Sequence, residues 1–323
     1  SFEMPPSGKL PPHIVNDFEQ WINDGAVDPR DATTREPSDS EIDIVAGRKF
    51  WSFQPLSEVQ PPTVLNRSWP ESGIDQFLLA RLEAEGLTPV GDTDRVTLAR
   101  RLYYALIGLP PTPKQTAHFV NDKRTTKDAV ADLLDRLLES QHFGERWGRH
   151  WLDVVRFAES SGGGRTLLFP HAWRYRDYVI EAFNTDMPYD QFLREQLAGD
   201  LLEPGDAETR SRQLVATAFL LLGPTNYELQ DKDILEMDIV DEQLDTIGKA
   251  FLGMTFGCAR CHDHKFDPIP AADYYAMAGI LKSTKSVIHN NVSTWNTVSL
   301  PVPAETEERI ANHESRVNEL ESA

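Results

Sequence analysis

The sequence predicts a mainly α fold: an irregular multi-helix domain that carries a CxxCH motif, followed by a short extended segment and a C-terminal helix. Two observations support this prediction. Between about residues 74 and 283, apolar residues recur at helical spacing in one segment after another. Several of these segments begin at capping residues or end at Gly and Pro, as helices commonly do.

The first elements are a single helix and a linker. Residues 1–27 combine a proline-rich approach with one amphipathic helix, whose apolar positions are Ile14, Phe18, Trp21 and Ile22. One helix is too little for a domain. Residues 28–49 are polar, acidic and proline-containing, which is typical of a linker.

The main body is predicted at residues 50–285. The segments IDQFLLARLEAEGL and DRVTLARRLYYALIGLPPT end at Gly or at Gly with a Pro pair. TTKDAVADLLDRLLES begins with Thr caps and has one apolar stripe, formed by Val130, Leu133, Leu134, Leu137 and Leu138. We therefore expect this body to be helical.

The last part, residues 286–323, is predicted to be an extended arm and the start of a C-terminal helix. Its first half is rich in β-branched and turn residues. In its second half, Ile310, His313, Val317 and Leu320 follow one another in 3-4-3 spacing. This spacing indicates the start of a longer helix or coiled coil.

Charge and hydropathy limit the classes of partner. The chain has 51 acidic and 32 basic residues, for a net charge of -19. This charge would repel phosphate backbones and anionic lipids, so we expect no nucleic-acid partner. The longest apolar run, at 214–223, is about half of what a membrane helix needs, so we expect no membrane insertion of this chain.

The stretch GCARCHDHKFDP, residues 257–268, holds the only two cysteines. In a CxxCH motif both thiols face the same way on a helical turn and can form thioethers with haem, and the adjacent imidazole becomes an axial iron ligand. The motif therefore predicts haem c, with Cys258 and Cys261 as covalent anchors and His262 as proximal ligand. Covalent haem attachment takes place outside the cytoplasmic membrane, so a periplasmic or extracellular location is expected.

Two other interpretations of the cysteines remain open. Cys258, Cys261 and His264 can be three ligands of zinc or another divalent metal, although a structural zinc site needs a fourth ligand and no second cysteine pair exists. Alternatively, both thiols are small buried hydrophobes.

A family resemblance rests on several ordered blocks: RLYYALIGLPPT, RWGRHWLDVVRFAES, WRYRDYVIEAFN, MPYDQFLREQLAGDLL, VDEQLDTIGKAFLG and TFGCARCHDHKFDPIPAADYYAMAGILKST. Over about residues 50–285 they resemble the cytochrome-associated domain of unknown function that is expanded in planctomycete bacteria. In that family the domain usually follows a small cytochrome c domain. The resemblance implies a secreted or periplasmic protein with a c-type haem signature, but no established reaction.

The N-terminal 27 residues are similar to the tail of that preceding cytochrome c domain. There, a methionine in an MPP stretch is the distal haem ligand, and the matching residue here is Met4. The upstream CxxCH that would accompany it is absent from this chain. The resemblance thus implies an upstream cytochrome domain or a redox partner protein. The alternative is that Met4 is incidental in a frayed terminus.

Other residues are candidates for completing the site. His264 and Lys265 are expected near the haem propionates. His150, Asp153 and Arg156 recur every third residue, and together they are candidate catalytic residues, with His150 as a candidate distal ligand. The simpler interpretation is an ion pair of Asp153 with Arg156 beside a half-buried histidine.

Three functions follow from these observations. The first is electron transfer through one covalently bound haem. The second is a haem-dependent oxidoreductase that acts on an extracellular substrate, with a carbohydrate as one candidate, through His150, Asp153 and Arg156. The third is a non-redox binding module with a structural metal. The sequence leaves open whether the protein is an enzyme.

Overall fold

The computed structural model describes residues 10–25, 43–302 and 304–322, and it confirms the mainly α fold. The α-helices in chain order are α1 Pro12–Asn23, α2 Ile44–Gly47, α3 Gly73–Ala84, α4 Arg95–Leu106, α5 Pro113–Val120, α6 Thr126–Leu138, α7 Gln141–Val154, α8 Ala172–Asn184, α9 Tyr189–Ala198, α10 Ala207–Ala216, α11 Lys232–Ile247, α12 Ala271–Leu281 and α13 Ala304–Glu321. A short antiparallel pair, β1 Val287–Ile288 and β2 Thr294–Trp295, lies between α12 and α13. Met4 and residues 28–42 of the expected linker lie outside the described residues.

Side-chain caps set where several helices begin. The Ser72 hydroxyl accepts the backbone N–H of Asp75, and the Asp75 carboxylate accepts the backbone N–H of Ser72. Thr112 and Gln115 form the same reciprocal arrangement at the start of α5. Each pair satisfies N–H groups that a helix N-terminus leaves without an internal partner.

The first packed layer consists of α4, α5 and α6. Its buried core contains Ala99, Tyr103, Phe119, Ala129, Leu133 and Leu137. The stripe predicted on α6 is therefore partly wrong: Ala129, Leu133 and Leu137 face the core, whereas Leu138 is 44% exposed. The buried residues of α6 form one row at i, i+4 spacing, and this row packs in the core shared with α4 and α5.

The largest core lies among α7, α8, α9 and α10. The helices α7 and α8 approach closely at Gly144, because a Cβ atom there would lie 2.3 Å from the Ile180 carbonyl oxygen. The Gly144 backbone N–H also donates to Asn184 Oδ1 at 2.8 Å. Deeper in the core, Trp151 Nε1 donates to Gln196 Oε1 at 2.9 Å, so that a buried polar group is satisfied.

The predicted extended arm forms β1 and β2, which pack on the largest core. The Trp295 ring lies 5.2 Å from the Phe169 ring, and the Ser293 backbone N–H donates to the Tyr227 carbonyl. The helix α13 follows, with exposed apolar side chains. In the part of the chain that the structure describes, no helix has the length and apolar character needed to cross a membrane.

Candidate functional site

The CxxCH motif lies in the connection between α11 and α12. After α11 the chain makes one π-helical segment, Gly248–Leu252, and then turns at Gly253, whose φ of 64° is left-handed and suits a residue without a Cβ atom. A 3-10 turn, Gly257–Arg260, carries the first part of the motif. The two cysteines therefore lie on a short turn and not on a long helix.

The turn directs its residues in two directions. Ala259, between the cysteines, is fully buried against a core that includes Leu244 and Tyr274. Cys258 and Cys261 are free thiols and are exposed. The interpretation of the cysteines as small buried hydrophobes therefore does not describe this structure, because the buried residue of the turn is the alanine.

Arg260 attaches the turn to both neighbouring helices. Its guanidinium donates to Asp238 at 3.0 Å and lies 3.6 Å from the Asp241 carboxylate on α11. The hydrogen bond from Arg260 to Asp238 raises the pKa of Arg260. From α12, the Tyr275 hydroxyl donates to the Arg260 carbonyl at 2.8 Å, and the Tyr274 hydroxyl donates to Asp241 at 2.6 Å. The motif backbone is thus held by contacts on both sides.

Four of the acidic residues on α11 have cationic partners. In addition to Asp238 and Asp241, Glu242 lies 3.2 Å from Arg156, and Asp245 forms an ion pair with Lys249. These carboxylates hold neighbouring segments against α11, and each is opposed by a cation.

His262 is exposed, and only one of its ring nitrogens has a hydrogen-bond partner among the described residues. Its Nδ1 lies 2.7 Å from the Asp263 carbonyl oxygen, so Nδ1 carries the proton and donates it. The Asp263 carboxylate in turn accepts the Ala271 backbone N–H at 2.8 Å. Nε2 has no hydrogen-bond partner among the described residues, and in the neutral imidazole it is the acceptor. An imidazole that donates its Nδ1 proton to a backbone carbonyl has the arrangement commonly found in histidine metal ligands.

His264 is buried, with 5% of its surface exposed, and both of its ring nitrogens are bonded. Nδ1 accepts the backbone N–H groups of Asp267, at 2.8 Å, and Phe266, at 3.2 Å. The proton is therefore on Nε2, which lies 3.1 Å from the Thr255 hydroxyl. The geometry gives no support to His264 as a zinc ligand or a propionate contact, because its ring holds the 263–268 loop together.

Exposed apolar and cationic side chains lie beside the motif. The Phe266 side chain is 77% exposed and the Tyr275 side chain 54% exposed. Lys265 is exposed and its ammonium lies 5.3 Å from the centre of the Phe266 ring. A flat apolar group that carries carboxylates could pack on these exposed rings and pair with the Lys265 ammonium.

The three candidate catalytic residues on and after α7 have separate partners. His150 is exposed and its ring lies 5.4 Å from that of Trp147. The Asp153 carboxylate accepts from Arg149 at 2.9 Å, not from Arg156. Arg156 does not continue the helical row of His150 and Asp153, because α7 ends at Val154 and Arg156 has a left-handed backbone.

Arg156 has an unusual environment that its sequence context does not signal. Its φ is +58°, a left-handed conformation that is strained for a residue with a side chain. The guanidinium passes so close to Gly223 that a Cβ atom there would lie 2.1 Å from it. Burial lowers the pKa of Arg156, and Glu242 opposes that shift. The side chain connects α7 to α11 and does not accompany His150.

The described residues, those of the motif included, contain no set of converging metal ligands. Across residues 10–25, 43–302 and 304–322, no group of three or more His, Cys, Asp or Glu side chains is arranged to hold a metal ion.

The comparisons with known proteins found one family. The model of PSCyt2, described as a protein of unknown function (DUF1549), matches residues 73–286, which include the whole CxxCH motif. The comparisons with curated proteins and with solved structures found no match.

Proposed function

The chain belongs to the PSCyt2 family, a family of unknown function, and we propose that it is a c-type haem protein that transfers electrons in the periplasm or outside the cell. Cys258 and Cys261 are the proposed covalent anchors, and His262 is the proposed axial ligand. Bound haem supplies reversible one-electron chemistry at its iron. The chain's own residues attach it, orient it and set its surroundings.

The observation that carries the proposal is that each of the three motif side chains is exposed, with Nδ1 of the imidazole bonded to a backbone carbonyl. Both thiols are free and exposed. The Nδ1 proton of His262 is donated to the Asp263 carbonyl, which leaves Nε2 available. These are the groups that c-type attachment needs, and no other hydrogen bond in the described structure competes for them.

The donor set fits haem better than zinc. A structural zinc ion needs four converging ligands, whereas in haem c only the imidazole binds the metal and the thiols bond to the porphyrin edge. His264, which a zinc site would require, has both ring nitrogens bonded within the protein. Zinc binding would break the contacts that hold the 263–268 loop.

The surface around the motif is suited to a porphyrin. Phe266 and Tyr275 offer exposed ring area for its apolar faces, and Lys265 offers an ammonium for a propionate. Arg260 holds the turn between its contacts with α11 and α12, which would keep the axial imidazole in a constant orientation.

Electron transfer is a better match to the geometry than catalysis. An oxidoreductase needs acid–base groups that converge on the substrate, and His150, Asp153 and Arg156 do not come together. The acidic protein, with a net charge of -19, would attract a basic redox partner. The resemblance to the planctomycete cytochrome-associated domain favours an upstream cytochrome domain as an alternative electron-transfer partner.

The test is to produce the protein with export and c-type maturation, and to measure its intact mass and pyridine haemochrome spectrum. We expect one haem per chain, resistant to acid–acetone extraction. Cys258→Ser and Cys261→Ser should each remove one thioether, and the double variant should carry no covalent haem. A reductive titration should then show one reversible one-electron step.

Two controls make the test specific. His262→Ala should change the absorption spectrum and the midpoint potential, whereas His150→Ala should leave both unchanged. A matured protein with unmodified thiols and the mass of the bare chain would contradict the proposal. A zinc content of one ion per chain in that sample would support the metal alternative instead.

A further inference from the structure

The surface of α13 carries an apolar stripe that the described chain leaves exposed. Ile310 is 46% exposed, Val317 37% and Leu320 65%. With His313 these residues follow in 3-4-3 spacing along Ala304–Glu321. An isolated helix of this length is marginal in water, so a partner for this stripe would stabilise it.

The stripe fits a two-stranded heptad pattern. With Ile310 and Val317 at the a positions, His313 and Leu320 occupy the d positions. β-branched residues at a with leucine at d favour two strands. A polar residue such as His313 within the seam lowers its stability and disfavours shifted registers.

The flanking charges select the orientation of the second helix. Arg309 and Arg316 occupy g positions, and Glu314 and Glu321 occupy e positions. In a parallel pair, each g residue faces the e residue of the next heptad in the second helix, so every arginine meets a glutamate. In an antiparallel pair g faces g and e faces e, which brings arginine to arginine and glutamate to glutamate. A second copy of this helix thus provides complementary charges only when it is parallel.

We propose that α13 associates with α13 of a second copy of this chain as a parallel two-stranded coiled coil. The seam from Ile310 to Leu320 is only about 15 Å long, so the dimer is weak and concentration-dependent. In the single chain Arg316 pairs with Glu319 at 3.2 Å, but both side chains are more than 60% exposed. An ion pair that exposed is exchanged for an interhelical one at little cost.

Sedimentation velocity on charge-reversed variants tests the proposal. The wild type should rise from 36.5 kDa toward twice that mass as its concentration increases from about 1 to 100 μM. Arg309→Glu with Arg316→Glu, and Glu314→Arg with Glu321→Arg, should each stay monomeric because like charges face each other. An equimolar mixture of the two variants should restore the dimer, since arginine again meets glutamate.

Two further variants separate the seam from general effects. Glu308→Arg makes a similar charge change at an f position, away from the seam, and should associate like the wild type. His313→Leu should tighten the dimer by about tenfold or more, because leucine packs well at d. A wild type that stays monomeric, or reversed variants that each dimerise as the wild type does, would overturn the proposal. Far-UV circular dichroism establishes that each variant keeps its helices.

Discussion

The buried ring of His264 is the most informative single perturbation of the candidate site. Its Nδ1 accepts the backbone N–H groups of Phe266 and Asp267, and its Nε2 bonds to Thr255. Replacing the ring with alanine leaves both amides, whose hydrogen bonds are partly buried, without an acceptor. We therefore expect His264→Ala to be one of the more destabilising single substitutions near the motif.

The magnitude follows from the contacts. A buried donor left unsatisfied costs about 1–3 kcal/mol, and the Asp267 N–H, with the shorter bond, loses the most. The space vacated by a 95%-buried ring adds a packing loss. Together these lower the free energy of unfolding by about 2–4 kcal/mol. Urea denaturation followed by tryptophan fluorescence measures the difference.

A matched variant isolates the acceptor. In His264→Asn, the side-chain Oδ1 can stand near the position of Nδ1 and accept the same backbone N–H groups, so about half of the loss should be recovered. His150→Ala, at an exposed histidine on α7, should change the free energy of unfolding by less than about 0.5 kcal/mol. If His264→Ala unfolds at the wild-type urea concentration, or if asparagine is no better than alanine, the structural role of His264 is refuted.

Two further predictions concern stability elsewhere in the fold. Arg212→Met should lower the free energy of unfolding, measured by urea denaturation, by about 3 kcal/mol, because it leaves the carboxylate of Glu195, which is 1% exposed, without the cation that bonds it. Arg149→Met, at an exposed ion pair, should lower it by less than about 1 kcal/mol. Equal effects of the two substitutions would contradict this. Asp94→Ala should destabilise the protein at pH 7 by removing the cap of α4. The Thr97 backbone N–H lowers the pKa of Asp94 from its ordinary value. The stabilisation is therefore present above the ordinary carboxyl pKa of about 4 and is lost as the pH falls through the lowered pKa. Unfolding curves of wild type and variant should therefore converge at low pH, and a difference that persists there would count against the cap.

Much of the helical architecture is predictable because its signals are local. The predicted Thr cap of α6, where the Thr125 hydroxyl accepts the Asp128 backbone N–H, lies within a single helical turn. Helix ends that fall inside an apolar segment are harder to predict from the sequence. The run SRQLVATAFLLLG, residues 211–223, has the pattern of one helix. In the structure, α10 ends at Ala216 and a 3-10 segment continues to Leu220. Packing against the neighbouring helices decides such helix ends.

The sequence by itself determined the fold class and which side chains the motif contains, because neither a helical period nor a run of adjacent residues depends on a distant partner. Only the tertiary structure decided which groups are available. It exposed Cys258, Cys261 and His262 and enclosed His264, although the two histidines are two residues apart. It also separated Arg156 from Asp153 by pairing it with Glu242, 86 positions along the chain. Burial and hydrogen bonding depend on such distant contacts, which residue spacing cannot express.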